Sequence, residues 1–302
     1  MTAEIILPAP LLVTPNRGYS MGHKVGPLPP NVFSTRHLFG ATRVRLAQAA
    51  DLSGYVDRIR DQGQTSKCVG MSLARICHVQ AQVQKYGRPN PGPMPYPSEE
   101  GIYALAREEE GTGVLFDEGS VPGLALRALT NDIGVPLERD WPADDGKINT
   151  PLPVDVIARA IAMKVTGAYQ IDSEGQQRSD DCASALLANH AISMAIAVGD
   201  AYESCSSETP VVAIPANGKS YGGHDITLVG FRTVAGRRQW LNAGSWGVSF
   251  GFGGYVWLDD SVITASGKFG SSDFLVVTIA PDFSLSAAHR DLLNPLPEQE
   301  VS

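Results

Sequence analysis

The chain has 302 residues, 43% of them hydrophobic, with 24 Lys plus Arg against 32 Asp plus Glu and a formal net charge of −8. That length and composition support one large globular domain or two modest ones with a sizeable core. A net negative charge without long runs of either sign repels phosphate backbones, which argues against a nucleic-acid partner.

The uncharged apolar stretches, such as residues 191–198, are too short to cross a bilayer, and the start MTAEIILPAPLLV lacks the basic and small-residue features of a secretory signal. A cytoplasmic protein with no membrane association is expected. The four cysteines (Cys68, Cys77, Cys182, Cys205) form no C-x-x-C pair and have no histidine at ligand spacing. Neither a disulfide scaffold, a metal site nor a cofactor is expected.

Residues 1–50 are rich in Pro and Gly (LPAP, TPNRG, GPLPP) and show no helical period. They read as an extended arm lying over the surface or docking on a protein partner. From residue 66 to 86, Val69, Leu73, Ile76, Val79 and Val83 recur at three- and four-residue steps, with Ser66 as N-cap and Gly87 as stop. This is the best helix in the sequence. A Pro-rich loop over residues 89–97 leads to helices expected at 99–109 and 123–131, so residues 51–140 form a helical subdomain.

Beyond Trp141 the character changes. Helical patterns at 154–163 and 181–188 precede β-prone segments at 191–198, 211–214, 224–231, 239–242, 254–258 and 274–279. Residues 141–282 therefore read as a barrel-like or twisted antiparallel β subdomain, and 283–302 as a polar tail.

Three segments carry chemistry. Cys68 stands at the start of the helix behind the polar approach Asp61-Gln62-Gly63-Gln64-Thr65-Ser66-Lys67, where unsatisfied N–H groups and the helix dipole favour a thiolate. By itself such a cysteine is more often a small buried residue. His224 opens an apolar strand behind Gly222 and Gly223. Finally, Trp240-Leu241-Asn242-Ala243-Gly244-Ser245-Trp246-Gly247 precedes a Gly/aromatic run ending in Gly254-Tyr255.

Taken jointly, Gln-x5-Cys, Gly-His and Ser-Trp-Gly with Gly-Tyr, in that order, closely resemble the papain-like family of cysteine peptidases over residues 51–280. The DQG…C-V form resembles its stand-alone bacterial and bacteriophage branch. The resemblance implies an α+β fold: a helical N-terminal subdomain bearing the nucleophile and a β-barrel-like C-terminal subdomain bearing the histidine, with a peptide or protein substrate in the cleft between. It implies Cys68 as nucleophile, His224 as its base and Gln62 as oxyanion donor. Gly123, Gly223 and Trp246 fall at substrate-contacting positions.

The family's usual disulfide positions correspond to Thr65 and Ser120, so that bridge is lost. The family's Asn-Ser-Trp-Gly is Gly244-Ser245-Trp246-Gly247 here, so the asparagine that orients the imidazole is missing. Asn242, two residues earlier on the same strand face, is the candidate replacement. With 67 residues ahead of Cys68, a large inhibitory pro-segment of the eukaryotic kind is not expected; a small latch or docking strand is. Two other classes fit the same residues. One is a weak or inactive papain-like domain serving as a structural or binding component, for instance in a phage particle. The other is an amidase or acyltransferase acting on cell-wall peptides.

Overall fold

A computed structural model describes residues 19–39, 48–87, 94–111, 114, 116–130, 133–206, 212–213, 219–265 and 271–281. Helices expected from the 3.6-residue period are present. Helix α1 (Arg36–Phe39) lies between strands β1 (Val32–Ser34) and β2 (Ala49–Asp51). Helix α2 (Cys68–Tyr86) follows, and Gly87 ends it with φ 64, a left-handed conformation that costs glycine nothing. Its N-cap is Lys67, not Ser66. Ser66 is diverted because its N–H donates to both carboxylate oxygens of Asp117 and its hydroxyl donates to the Asp117 carbonyl.

Helix α2 is buried for most of its length on every side, which fits a helix apolar around its circumference rather than along one stripe. Helices α3 (Glu99–Glu109) and α4 (Pro122–Thr130) pack on one side of it and the sheet on the other. The pattern at 154–163 gives α5 (Val154–Arg159) and one 3-10 turn before the chain extends into β3 (Met163–Gln170). The later helix begins earlier than expected, as α6 (Gly175–Leu187). Strand β4 (Ile192–Val198) and the short α7 (Asp200–Glu203) lead to β5 (Gly222–Val234), β6 (Arg237–Ala243) and β7 (Tyr255–Asp259). Helix α8 (Asp260–Thr264) precedes β8 (Ser272–Pro281).

The described strands form one sheet in the order β1-β3-β8-β4-β5-β6-β7, with β2 added on β5. All pairings are antiparallel except β1 with β3. The segment expected at 211–214 is described only at 212 and 213, where Val212 makes a single bridge to Leu258. Residues 1–18, most of the Pro-rich loop and the tail 283–302 lie outside the described residues. The expected α+β fold is observed, but helices and strands are not cleanly segregated. Strand β1, helix α1 and the start of β2 fall within residues 1–50, read as an extended arm, because β1 is paired by β3 and β2 by β5, and α6, α7 and α8 fall among the later strands.

One contact ties the two halves together beneath the site. Arg75, two turns into α2 and 2% exposed, donates to the carbonyls of Ala243 and Gly244 at 2.5 and 2.9 Å. It fixes the end of β6 against α2.

Candidate active site

The approach to Cys68 is held on three sides. Besides the Ser66–Asp117 bonds, Lys67 is buried and its ammonium bonds Glu100 at 2.9 Å and Asp145 at 3.1 Å. These carboxylates outweigh the burial of the ammonium and raise its pKa. Residues 60–62 pair with 245–247: Gln62 N–H donates to the Ser245 carbonyl, and Gly247 N–H to that of Arg60. This pairing sets Gln62 and Trp246 beside the first turn of α2.

Cys68 is the first residue of α2 and is fully buried. His224 opens β5 and is also fully buried, and its neighbour Asp225 gives a backbone hydrogen bond to the Cys68 sulfur. The Trp246 ring lies 4.9 Å from the imidazole and the Tyr202 ring 6.0 Å away. Ser245 connects the histidine to the glutamine: its hydroxyl donates to Gln62 Oε1 at 2.8 Å and stands 3.5 Å from His224 Nε2.

Asn242 does not supply the missing orienting contact. It pairs across the ladder with Leu228, on the His224 face but four residues further along β5. There its amide donates to Tyr202 Oη at 3.0 Å and its carbonyl accepts from Thr227 N–H at 3.3 Å. His224 Nδ1 has no hydrogen-bond partner among the described residues. Nor could an asparagine stand at 244 with this backbone. A Cβ there would lie 2.8 Å from the Gly254 carbonyl oxygen and 3.3 Å from the Phe250 ring.

The arm lies across all of this. Tyr19 stacks flat on Trp246 at 4.7 Å and donates its hydroxyl to the Trp246 carbonyl at 3.1 Å. The Ser20 carbonyl accepts from Gln62 Nε2 at 3.0 Å. Gly22 gives a backbone hydrogen bond to the Cys68 sulfur, and its own carbonyl accepts from Ser120 N–H at 2.8 Å. His23 N–H donates to the Gly223 carbonyl at 3.2 Å, and Lys24 N–H to that of Ser120 at 3.0 Å. Pro27 and Leu28 pass Gly123 so closely that a Cβ there would meet the Pro27 carbonyl oxygen at 2.8 Å. Gly123, Gly223 and Trp246 thus share one neighbour, the segment 19–28.

Sequence reasoning missed this contact set, because Tyr19-Ser20-Met21-Gly22-His23 carries no period or motif. It also left Asp225 without a role, although Asp225 directly follows His224 in the sequence.

Burial shifts both Cys68 and His224 towards their neutral forms. Loss of water pushes the Cys68 thiol up to about 12, against backbone hydrogen bonds from Asp225, Gly22 and Val69 that favour the thiolate. It lowers His224 to about 3, with the nearby His23 adding to the shift. Both shifts favour the neutral forms, a thiol at Cys68 and an uncharged imidazole at His224.

Burial also pushes the Asp225 carboxyl up to about 7, although His23 and the Ser193 hydrogen bond pull it down. Between about pH 4 and pH 7 the folded chain keeps a proton on Asp225 that the unfolded chain has released. This contribution to stability is therefore full below that window and falls as pH rises through it. Asp225→Asn removes the effect. The melting temperature of the variant minus that of the natural chain is expected to increase across the window, and a difference independent of pH would refute this account.

The sequence matches the papain family cysteine protease over residues 47–269. The chain belongs to that family. No curated protein matches the sequence. Among solved structures, xylellain, a cysteine protease from Xylella fastidiosa, superposes with a TM-score of 0.70 at 22% identity, covering 89% of this chain and 98% of its own. Digestive procathepsin L2 proteinase from Tenebrio molitor larval midgut gives 0.67 at 19% identity, over 87% of this papain-family chain and 78% of its own. Bromelain from Ananas comosus, in complex with the E64 inhibitor, gives 0.59 at 17% identity, over 77% and 99%. These likenesses establish the fold. The four cysteines of this family member are free and buried, and Thr65 and Ser120 stand where the resemblance implied a lost bridge.

Proposed function

We propose that the chain is a cysteine peptidase, hydrolysing peptide bonds through Cys68, and that the closed arrangement is its latent form. One observation carries this reading. An extended stretch of polypeptide already crosses Cys68 with a backbone carbonyl on Gln62 Nε2, as a substrate carbonyl would in the moment before attack. When the arm lifts, water reaches the pair and the cost of charging it falls. Cys68 then gives its proton to His224, and the thiolate attacks the carbonyl carbon. The oxyanion is held by Gln62 Nε2 and the N–H groups at the start of α2. His224 returns the proton to the departing amine, and a water activated by His224 hydrolyses the thioester.

With Nδ1 of His224 unpaired among the described residues, the imidazole is held in place by packing between Trp246 and Tyr202, and by Ser245, instead of by an asparagine. This supports a slow enzyme more than a fast one.

Fluorogenic peptides and iodoacetamide test the reading on the full chain with its arm loosened by substitution. Hydrolysis is expected, together with alkylation of Cys68 faster than that of Cys77, and Cys68→Ala should abolish both. No hydrolysis with Cys68 alkylated no faster than Cys77 would favour the non-catalytic binding or structural component instead.

A further inference from the structure

The arm occupies the cleft with side chains as well as backbone, and one of them is chemically informative. The His23 side chain is 3% exposed and its Nε2 lies 3.2 Å from Oδ2 of Asp273. It also interacts electrostatically with Asp225. Neither ring nitrogen makes a directed hydrogen bond among the described residues. The imidazole is therefore seated among carboxylates by position and charge rather than fixed by a hydrogen-bond network.

The carboxylates around it come from two strands of the sheet. Asp225 on β5 faces Ala195 on β4, and Ala195 in turn pairs with Ser272 on β8, next to Asp273. The two carboxylates thus rise from strands on either side of β4. Between them stands alanine, whose small side chain leaves room for a longer one. The β4–β8 register shifts between Ser193 and Ala195, and Asp273 has φ 52, a left-handed conformation that an L-residue adopts at a cost. Bulge and backbone together re-aim the Asp273 side chain. Asp225 accepts from Ser193 Oγ at 3.0 Å, and Ser193 is linked to Ser72 on α2, one turn beyond Cys68. Asp273 accepts from Ser272 Oγ at 3.0 Å, and its charge pushes the Asp225 carboxyl up, a repulsion between two carboxylates that a cation relieves.

We infer that Asp225 and Asp273 form a specificity pocket for a basic side chain, lysine, arginine or histidine, of the peptide substrate, and that His23 fills this pocket in the closed chain. The inference rests on the peptidase reading for the word substrate, while the pocket's preference for a cation is measurable without turnover.

The arm itself is the first probe. In the full chain, alkylation of Cys68 by iodoacetamide reports how often the arm leaves, and alkylation of the buried Cys182 reports loss of fold. His23→Lys and His23→Arg are expected to protect Cys68 at least as well as the natural chain. His23→Leu, apolar and of comparable size, should speed alkylation about tenfold or more, equivalent to about 1.4 kcal/mol. Asp273→Asn with His23 kept should do the same. Leucine protecting as well as lysine, or Asp273→Asn leaving the rate unchanged, would overturn the inference.

The second probe is peptide binding to the full chain carrying Cys68→Ala and His23→Ala. Acetylated dipeptide amides containing arginine or lysine should bind about tenfold or more tighter than the leucine analogue, and adding Asp273→Asn should erase the difference. Equal affinities would also overturn it. If the arm-loosened chain hydrolyses no peptide, the peptidase reading fails while these binding results stand on their own.

Discussion

Replacing Gly22 with valine is expected to open the site and raise the rate of Cys68 alkylation by about a hundredfold. A Cβ at Gly22 would stand 1.7 Å from the Ser66 carbonyl oxygen, 2.4 Å from its carbon and 2.8 Å from its Cα. That backbone cannot give way, because Asp117 grips the Ser66 N–H and hydroxyl and Cys68 follows two residues later. The arm must rise instead, and it loses the bonds Ser120 N–H to Gly22, His23 N–H to the Gly223 carbonyl and Lys24 N–H to the Ser120 carbonyl. At about 1 kcal/mol each, three such bonds amount to about 3 kcal/mol, close to a hundredfold change in the open population.

The same opening should bring peptide hydrolysis from background to a measurable rate, since it relieves the burial that holds the thiol near 12 and the imidazole near 3. Gly22→Val with unchanged alkylation, in a chain whose melting temperature is also unchanged, would show that segment 19–28 does not control access. Gly119 supplies a matching test from the opposite wall. Its φ of 84 suits glycine, and a Cβ there would meet the Gly22 carbonyl oxygen at 2.2 Å.

The parts of the molecule legible in the sequence are those that repeat or stand in fixed spacing. The three- and four-residue recurrence of Val69, Leu73, Ile76 and Val79 foretold α2 because that helix is built around packing, and the chain punctuates it with Gly87. Strand β5 was legible for the same reason, since Ile226, Leu228 and Val229 are all buried. Strand β3 was not. Its residues Met163–Gln170 read Met-Lys-Val-Thr-Gly-Ala-Tyr-Gln, a mixed half-buried pattern broken by a bulge between Val165 and Gly167, and it follows a helix that consumed the expectation for that stretch.

The site divides along the same line. Gln62, Cys68 and His224 could be read because their spacing is chemical. What surrounds His224 could not, since Asn242 versus Gly244 is settled by ladder register and by the 2.8 Å approach of the Gly254 carbonyl, neither of which is encoded locally. The arm was read as a latch or docking strand from composition alone. Where it goes depends on contacts with Trp246, Ser120 and Gly223, about a hundred or more residues away in sequence.

The other large effect is expected at Gln62. In a Gly22→Val chain, Gln62→Ala should lower kcat for a fluorogenic peptide by about 10²–10³, the usual loss for one oxyanion donor, with little change in KM. Alanine also removes the acceptor for Ser245 Oγ, so a fall in activity could follow from a displaced His224 instead. Gln62→Glu separates the two. A carboxylate keeps the Ser245 acceptor and the side-chain length, but it replaces the N–H now offered to the Ser20 and Thr65 carbonyls with an oxygen. Negative charge would then face the position where the oxyanion develops, and kcat should fall at least as far as in the alanine variant. If Gln62→Glu restored most of the activity lost in Gln62→Ala, the residue would act by holding Ser245 and His224, and the oxyanion would be stabilised by the N-terminus of α2 alone.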